Sequence, residues 1–465
     1  LGWPEETREL KTFYPTSVME TGYDILFFWV ARMMMMGIHF MKKVPFRTVY
    51  LHAIVVDEHG DKMSKVKGNV IDPLDVIYGA SRQQLIDKAK ESLSPPSALT
   101  NIEKAFPEGI PTAGADALRF TLASLAAQGR NIRLSLQRVE GYRHFANKLW
   151  NAARFSLMNL SGFDADRFGD ALREGVDVAS LTLADRWILS RLQKTATEVD
   201  EALEAFRFND AAQSIYHFIW DELCSWYMEL IKPVLYDDAN EVMAQKRKRA
   251  AQGSLAMALE TACRLLHPFM PFITEEIWQQ IPKATGTPGS IMITMYPVAD
   301  PSLIDEAAEK QLGLVMRVIA AVRNLRAEYN VTDKVNITLQ CKSAESMQVL
   351  QEHGNLALPL ARINELMLLG GEHPLPDGTV VAVVDDVHVC MQLAGAIDVA
   401  AERQRISKDI TKTEKERAGV AARLNNPSFK ERAPADIIEK TQKDYADIEE
   451  RLAKLTGSLD RLKSL

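Results

Sequence analysis

Two lysines three residues apart, in Lys62-Met63-Ser64-Lys65, are the residues of this 465-residue chain best suited by type and spacing to do chemistry. Asp57-Glu58-His59-Gly60-Asp61 precedes them and Lys67-Gly68-Asn69-Val70-Ile71-Asp72-Pro73 follows. On a mobile loop such a pair can close over a triphosphate and neutralise the charge that builds up as pyrophosphate leaves, which is electrostatic stabilisation of a transition state. In isolation so short a sequence is more often a solvated basic loop. The β-branched run before it and the Gly-Asn-Val-Ile-Asp-Pro stretch after it favour chemistry. A second set lies in Thr21-Gly22-Tyr23-Asp24-Ile25-Leu26-Phe27-Phe28-Trp29-Val30-Ala31-Arg32-Met33. Read alone, it is a buried helix in which Phe27, Phe28 and Met33 to Met36 are mostly core. Asp24 would then face the helix dipole. A third set interleaves Arg143, Lys148 and Arg154 with aromatics, Phe155 among them. That composition suits holding a nucleic-acid backbone while stacking a base.

The elements that must position these residues follow from local pattern. Val49-Tyr50-Leu51-His52-Ala53-Ile54-Val55-Val56 reads as one buried strand ending at the turn that opens the lysine loop. Residues 81–113, with Pro95-Pro96, Pro107 and Pro111, read as a surface insertion. From Gly114 to about Pro282 the period is helical, with Asp185, Asn209 and Asp210 at expected N-caps and Pro233 and Pro268 at expected helix ends. Within it, the aromatics of Ile215–Tyr227 and of His267–Trp278 are at helical spacing and read as packing, and His217 and His267 as satisfied core residues. Lys246-Arg247-Lys248-Arg249 is a solvated basic face or a phosphate contact. Residues 290–395 return to mixed α/β, with strands at Val335–Leu339 and Val380–Val384. Ile438, Tyr445, Ile448, Leu452, Leu455, Leu459 and Leu462 form a heptad seam. An earlier seam, Ile406, Ile410, Thr413, Val420 and Leu424, is separated from it by Asn425-Asn426-Pro427 and Ala433-Pro434, so an antiparallel hairpin is favoured over a dimerising coiled coil.

Composition limits the class. Apolar residues are 47% and charged residues 25%, the balance of a soluble protein of about three domains. Cys224, Cys263, Cys341 and Cys390 form no CxxC pair, which argues against zinc or a disulfide framework and suits a reducing cytoplasm. The net charge of −7 excludes a uniformly basic nucleic-acid binder, but residues 401–465 carry 15 Lys/Arg against 12 Asp/Glu. Ile25–Phe40, interrupted by Arg32 and His39, reads as too short to span a bilayer. Leu1 at the start and a mid-domain look to Trp3-Pro4 suggest a fragment.

His52–Asp75 resembles the signature loop of the class I aminoacyl-tRNA synthetases, KMSKS followed by KGNV-x-DP. The resemblance implies that Lys62 and Lys65 are catalytic and that Lys62, Met63, Ser64 and Lys65 bind ATP. Val66 stands where the family has its last serine, Ala53 where it has glycine, and Val56 where arginine is common. Thr21–Met33 resembles the valine-specific form of a motif shared by the branched-chain enzymes. This implies that Gly22 and Asp24 lie against the adenylate and that Trp29 walls the valine pocket. Ile215–Tyr227 and His267–Trp278 are similar to their anticodon-binding domain, with Ser225 where aspartate is frequent. Gly114–Phe120 and Gly141–Phe155 match the family too, giving Arg143, Lys148, Arg154 and Phe155 as candidate tRNA contacts. The terminal hairpin resembles the tRNA-binding arm of bacterial valine enzymes.

The expected fold is therefore multidomain, α/β plus mainly α. It comprises the C-terminal part of a Rossmann-type catalytic domain (1–140, insertion 81–113), a helical anticodon-binding bundle (141–290), a small α/β region (291–395) and a coiled-coil tRNA-binding arm (396–465). The activity implied is ATP-dependent activation of valine and its transfer to tRNA(Val). ATP would bring Mg2+, for which no dedicated ligands are visible, and the protein would be a cytoplasmic monomer without a membrane partner. His-Ile-Gly-His and an editing insertion are absent, so the chain alone is expected not to form adenylate. The rival readings are a non-catalytic tRNA-binding paralogue, an isoleucine or leucine synthetase, and a structural scaffold.

Overall fold

The computed structural model describes residues 1–465 apart from 65, 68, 93–94, 128, 130, 167–179, 238, 240, 377, 394–398, 427–428, 430–434 and 464–465. The chain divides into two compact units, Leu1–Glu306 and Ala307–Leu465.

The first unit opens with α1 (Arg8–Phe13) and a βαβ unit: β1 (Thr16–Gly22), α2 (Ala31–Met41) and β2 (Phe46–His52). β1 and β2 pair in parallel, from Thr16 opposite Phe46 to Gly22 opposite His52. A parallel pair needs a crossover, and the apolar stretch supplies it through a 3-10 turn (Tyr23–Ile25) and a π-helical turn (Leu26–Val30). The expected single strand Val49–Val56 is broken. β3 (Val55–Val56) leaves β2 and pairs instead with β4 (Ile132–Arg133).

After the lysine loop, Asp72 caps α3 (Pro73–Tyr78), its side chain accepting from Leu74 N, with Pro73 in the first turn where a missing N–H costs nothing. An Ala80–Ile110 bridge closes off α4 (Arg82–Glu91) and α5 (Pro96–Ala105). Then come α6 (Ala115–Leu125) and α7 (Leu136–Asn159). Val76, Ala80, Leu85, Ile110, Leu118 and Leu134 share one apolar core here, and Met63 and Ile71 of the loop pack against it.

The helical bundle continues with α8 (Leu183–Glu204), α9 (Phe208–His217), a ten-residue π-helix (Phe218–Tyr227), α10 (Met228–Leu235), α11 (Val242–Leu266) and α12 (Pro271–Gln280). Thr182, not Asp185, is the N-cap of α8. Asp185 is the reciprocal acid of the capping box, fully buried and also accepting from Tyr227 Oη at 2.7 Å. Arg207 holds the cap position of α9, with Asn209 and Asp210 inside the helix, and Pro233 lies within α10. Pro268 does follow the end of α11.

The apolar stretch behaves differently from its expected core role. Phe27 is 80% exposed, and Phe28 and Met33 to Met36 are exposed as well, with Val30 the buried residue of the group. Among the described residues the βαβ unit has two strands, too narrow a sheet to cover this side. Tyr23–Met41 is also long and apolar enough, by length and composition, to cross a membrane, contrary to the estimate from Ile25–Phe40. Core helices of soluble proteins pass the same test.

The second unit contains α13 (Glu306–Glu328), a four-stranded sheet and two long helices. The sheet is built from β5 (Val335–Cys341), β6 (Ile363–Gly370), β7 (Thr379–Val384) and β8 (Val387–Gln392) in the order β6-β5-β8-β7, with β5 and β6 parallel and the rest antiparallel. α14 (Ala344–His353) and α15 (Ala357–Leu360) make the crossover from β5 to β6. α16 (Val399–Asn425) and α17 (Ala435–Lys463) pack against each other, with Glu416 paired to Arg451. Ile406, Thr413 and Thr441 are buried. Pro427, Ala433 and Pro434 of the expected connection lie outside the described residues.

Candidate functional site

The lysine loop leaves β3 through a tight turn. Asp57 N donates to Asp61 O at 3.0 Å, Gly60 N to Asp57 O at 3.0 Å, and Gly60 takes φ +91°, which a side chain would resist. The backbone then returns to β3 through a Val56–Lys62 bridge. Met63 is the anchor of the loop, its side chain against the apolar core. Ser64 turns inward, its N–H donating to Asn69 Oδ1 at 2.9 Å and its hydroxyl accepting from Lys67 N at 3.2 Å. Lys65 lies outside the described residues. Val66 points to solvent, 71% exposed.

Lys62 and Asp24 were singled out on different grounds, and the fold brings them together. Lys62 Nζ lies 3.8 Å from Asp24 Oδ2, with both side chains substantially exposed. Gly22 ends β1 directly beside them. A Cβ there would stand 2.7 Å from Asp24 Oδ1 and 3.5 Å from His52 Cε1, so glycine lets the carboxylate fold back over the strand end. The arrangement offers a cation and an anion at the carboxyl ends of two parallel strands, where open α/β sheets bind ligands. Trp29 is exposed, one helical turn beyond Asp24.

Three residues that the sequence did not single out hold the loop. Asp57 Oδ1 accepts from Asp61 N at 2.7 Å and from His59 N at 3.1 Å, while its Oδ2 accepts from Asn69 Nδ2 at 2.8 Å. Asn101, on α5, donates from Nδ2 to Lys67 O at 3.1 Å. Burial alone would raise the Asp57 carboxyl, but the Asn69 amide and the two backbone N–H groups outweigh it and hold it below the usual carboxylate range. Asn69 was visible in the sequence as part of the stretch trailing the lysines. Its bond to Asp57 spans twelve residues, and no local pattern announces it.

The four candidates on α7 divide between two faces. Arg143 and Arg154 are eleven residues apart, close to three turns, and both face outward. Arg143 pairs with Glu140 at 3.3 Å. Lys148 and Phe155 face inward. Lys148 Nζ donates to Trp220 O and Ser225 Oγ, each at 2.9 Å, and stands 3.9 Å from the Trp220 ring centroid. Ser225 Oγ itself donates to Trp220 O at 2.7 Å. Burial pushes the Lys148 ammonium below its ordinary value. Phe155 lies under Lys232, 5.7 Å from ring to ammonium.

The two stretches Gly114–Phe120 and His267–Trp278 are bonded to each other. Asp116 accepts from Ile273 N at 2.7 Å and Phe272 N at 3.3 Å, capping α12 from a distant part of the chain. Arg119 donates to Pro268 O at 3.0 Å and Phe269 O at 3.2 Å. Burial raises the Asp116 carboxyl in spite of these bonds, and likewise lowers His267, whose Nδ1 lies 2.8 Å from Thr274 Oγ1. His217, expected in the core, is instead exposed, with its ring against Asp221 at 3.0 Å. The cysteines are all free thiols, and burial pushes Cys224 up to about 12. No group of three metal-ligating side chains occurs among the described residues.

Residues 1–135 match the tRNA synthetases class I (I, L, M and V), residues 185–341 the anticodon-binding domain of tRNA ligase, and residues 398–463 the valyl tRNA synthetase tRNA binding arm. The valine–tRNA ligase of Geobacter sulfurreducens is 46% identical over 100% of this chain and 48% of its own length. Over its whole length the chain is similar to valine–tRNA ligases. Those of Laribacter hongkongensis and Neisseria meningitidis serogroup B are 43% and 40% identical, again over 99–100% of this chain and 48% of theirs. The chain thus spans about half the length of the curated relatives it matches. Among solved structures, a Mycobacterium tuberculosis methionyl-tRNA synthetase in complex with methionyl-adenylate aligns with a TM-score of 0.43 at 19% identity, over 64% of this chain and 52% of that one. The loop and the strand end at Gly22 fall within the matched class I segment, whereas α7 lies between that segment and the anticodon-binding one.

Proposed function

We propose that this chain serves the valine–tRNA ligase reaction, in which valine and ATP give valyl-adenylate and pyrophosphate and the valyl group passes to tRNA(Val). The observation that carries the reading is the approach of Lys62 to Asp24 at the ends of parallel strands, in a chain with relatives of that function at 40–46% identity. ATP would enter with its triphosphate under Lys62 and Lys65, and Mg2+ would arrive with it. The loop ammonium groups would offset charge as pyrophosphate departs. Met63 and Ser64 would act through the backbone, Met63 by anchoring it. Asp24 would accept a hydrogen bond from a ribose hydroxyl, Gly22 would leave room for the adenylate, and Trp29 would wall the aliphatic pocket.

On this reading residues 1–140 form the catalytic part, 141–290 and 291–395 the anticodon-binding part, and 396–465 an antiparallel coiled-coil arm for tRNA. Of the four α7 candidates, Arg143 and Arg154 are the ones whose direction suits meeting a phosphate backbone. The protein would act as a monomer in the cytoplasm. The test is binding of valine tRNA, isoleucine tRNA and an anticodon-altered valine tRNA across a salt series. Binding that is tight, salt-sensitive and selective for the intact valine anticodon is expected. Equal, weak binding to all three would overturn the tRNA half of the proposal.

A further inference from the structure

We propose that Arg362, with Lys334 and Arg323 beside it, is a contact for the phosphate backbone of RNA, at the corner of the second unit where α13 ends and β5 and β6 begin. This deepens the reading that the chain binds tRNA, and rests on it. It assigns part of that binding to the small α/β region, where the sequence marked no contact residue. Arg323 and Arg326 lie in the last turns of α13, and Arg362 follows α15. Lys334 stands across from Arg362. Val335 N donates to Arg362 O at 3.2 Å and Val335 pairs with Ile363, so the two cations enter the parallel β5–β6 pair side by side. Arg323, Lys334 and Arg362 are exposed, and Arg326 is half-buried.

Capping accounts for two of these cations and not for the third. Arg323 Nε donates to Leu360 O at 2.9 Å, and Arg326 donates to Ala361 O at 2.9 Å and to Thr332 O at 2.8 Å. Both therefore satisfy carbonyls that the ends of α15 and α13 leave open. Arg362 is differently placed. Its φ is +52°, the left-handed position after a helix that glycine occupies with least strain. Its Nη1 donates to Thr332 O at 3.3 Å, an oxygen that already accepts from Arg326 at the shorter distance. Among the described residues no carboxylate lies within 4.0 Å of its guanidinium. The corner is also positive as its own members feel it. Burial pushes the Arg326 guanidinium below its ordinary value, and repulsion from Arg362 adds more to that shift than attraction by Asp333 removes. A planar guanidinium fork and an adjacent ammonium in solvent match the oxygens of successive phosphates, which would also relieve the repulsion.

The experiment measures binding of the full chain to valine tRNA and to an anticodon-altered valine tRNA across a salt series, alongside thermal unfolding. Arg362→Gly suits the left-handed backbone, so it should unfold within about 2 °C of the starting protein or above it. It should nevertheless bind both tRNAs about threefold to tenfold more weakly, by the same factor, because backbone contacts carry no base information. The slope of log K against log salt should fall by about 0.7–0.9, and adding Lys334→Ala should lower it by about as much again. Unchanged affinity and slope in Arg362→Gly overturns the proposal. A loss confined to the intact anticodon overturns the assignment to the backbone. Inorganic phosphate at constant ionic strength separates a small-anion site from an RNA contact. If millimolar phosphate raises the unfolding temperature of the starting chain but not of Arg362→Gly, and both bind tRNA equally, the RNA assignment falls. The parent reading fails separately, through absence of salt-sensitive tRNA binding by the unsubstituted chain.

Discussion

Lys148 and Arg143 look interchangeable in sequence, two cations among aromatics on one helix, yet their surroundings give them opposite roles. Lys148 closes a triangle with Trp220 O and Ser225 Oγ over an indole ring, so removing it takes a charge-assisted donor from both oxygens and leaves Trp220 O with the Ser225 hydroxyl. Lys148→Met should lower the unfolding free energy by about 1–3 kcal/mol, read by urea titration, and leave the salt slope of tRNA binding unchanged. Arg143→Ala and Arg154→Ala should do the reverse, leaving stability within about 0.5 kcal/mol and reducing the slope by about one each. A steeper loss of tRNA affinity in Lys148→Met than in either arginine variant would defeat this division. Asp57 gives a pH dependence at the same scale. Its carboxyl is held below the unfolded value, so its contribution is complete above about pH 3.9 and is lost as pH falls through the lower folded value. Hydrogen-exchange protection of the Ser64 and Asp61 amides should therefore persist to about pH 4 and fall below it. Asn69→Ala removes a donor that lowers Asp57, so at the Asp61 amide the loss should begin at a higher pH, while the Ser64 amide loses its acceptor outright.

Elements were legible where a local rule decides them and illegible where the partner is distant. The strands at Val335 and Val380 and the two long terminal helices follow from alternation, β-branched runs and heptads. The break between β2 and β3 does not, because Val55 and Val56 find their partner in Ile132 and Arg133, far along the chain. The π-helix at Phe218–Tyr227 is hidden for another reason, since an aromatic stripe looks alike at i+4 and i+5 over ten residues. In the candidate site, residue type and spacing mark the lysine loop and the family resemblance marks Asp24, while neither marks Asp57. The junction of α6 with α12 is likewise tertiary: both halves read as family-like stretches, and neither shows that one caps the other. Asp116 satisfies two N–H groups that begin α12, work normally done by a neighbouring residue. Asp116→Ala should cost about 1–2 kcal/mol of stability, measured by urea unfolding. Full retention of stability would show that the first turn of α12 is satisfied without it.

At the scale of the whole chain, charge is segregated although the total is acidic. The last 65 residues carry a net +3 and the preceding 400 therefore −10. A net acidic stretch resists non-specific attachment to nucleic acid, while a basic stretch admits it locally, so on the proposed function the location of tRNA affinity should be readable from its salt dependence. In α16 and α17 the seam residues Ile406 and Thr413 are buried, as is Thr441, whereas Lys412, Lys415, Lys440 and Lys443 remain exposed. These four lysines can be removed without opening the seam. Replacing all four with alanine should leave thermal unfolding within about 2 °C, because exposed substitutions away from caps and seams are close to neutral. The same variant should reduce the slope of log K against log salt by about 0.7–0.9 for each phosphate that these lysines neutralise. Because phosphate contacts carry no sequence information, affinity for valine tRNA and for an anticodon-altered tRNA should fall by the same factor, leaving their ratio intact. A collapse of that ratio would mean the two long helices take part in choosing the tRNA, and an unchanged slope would mean these lysines do not meet its backbone.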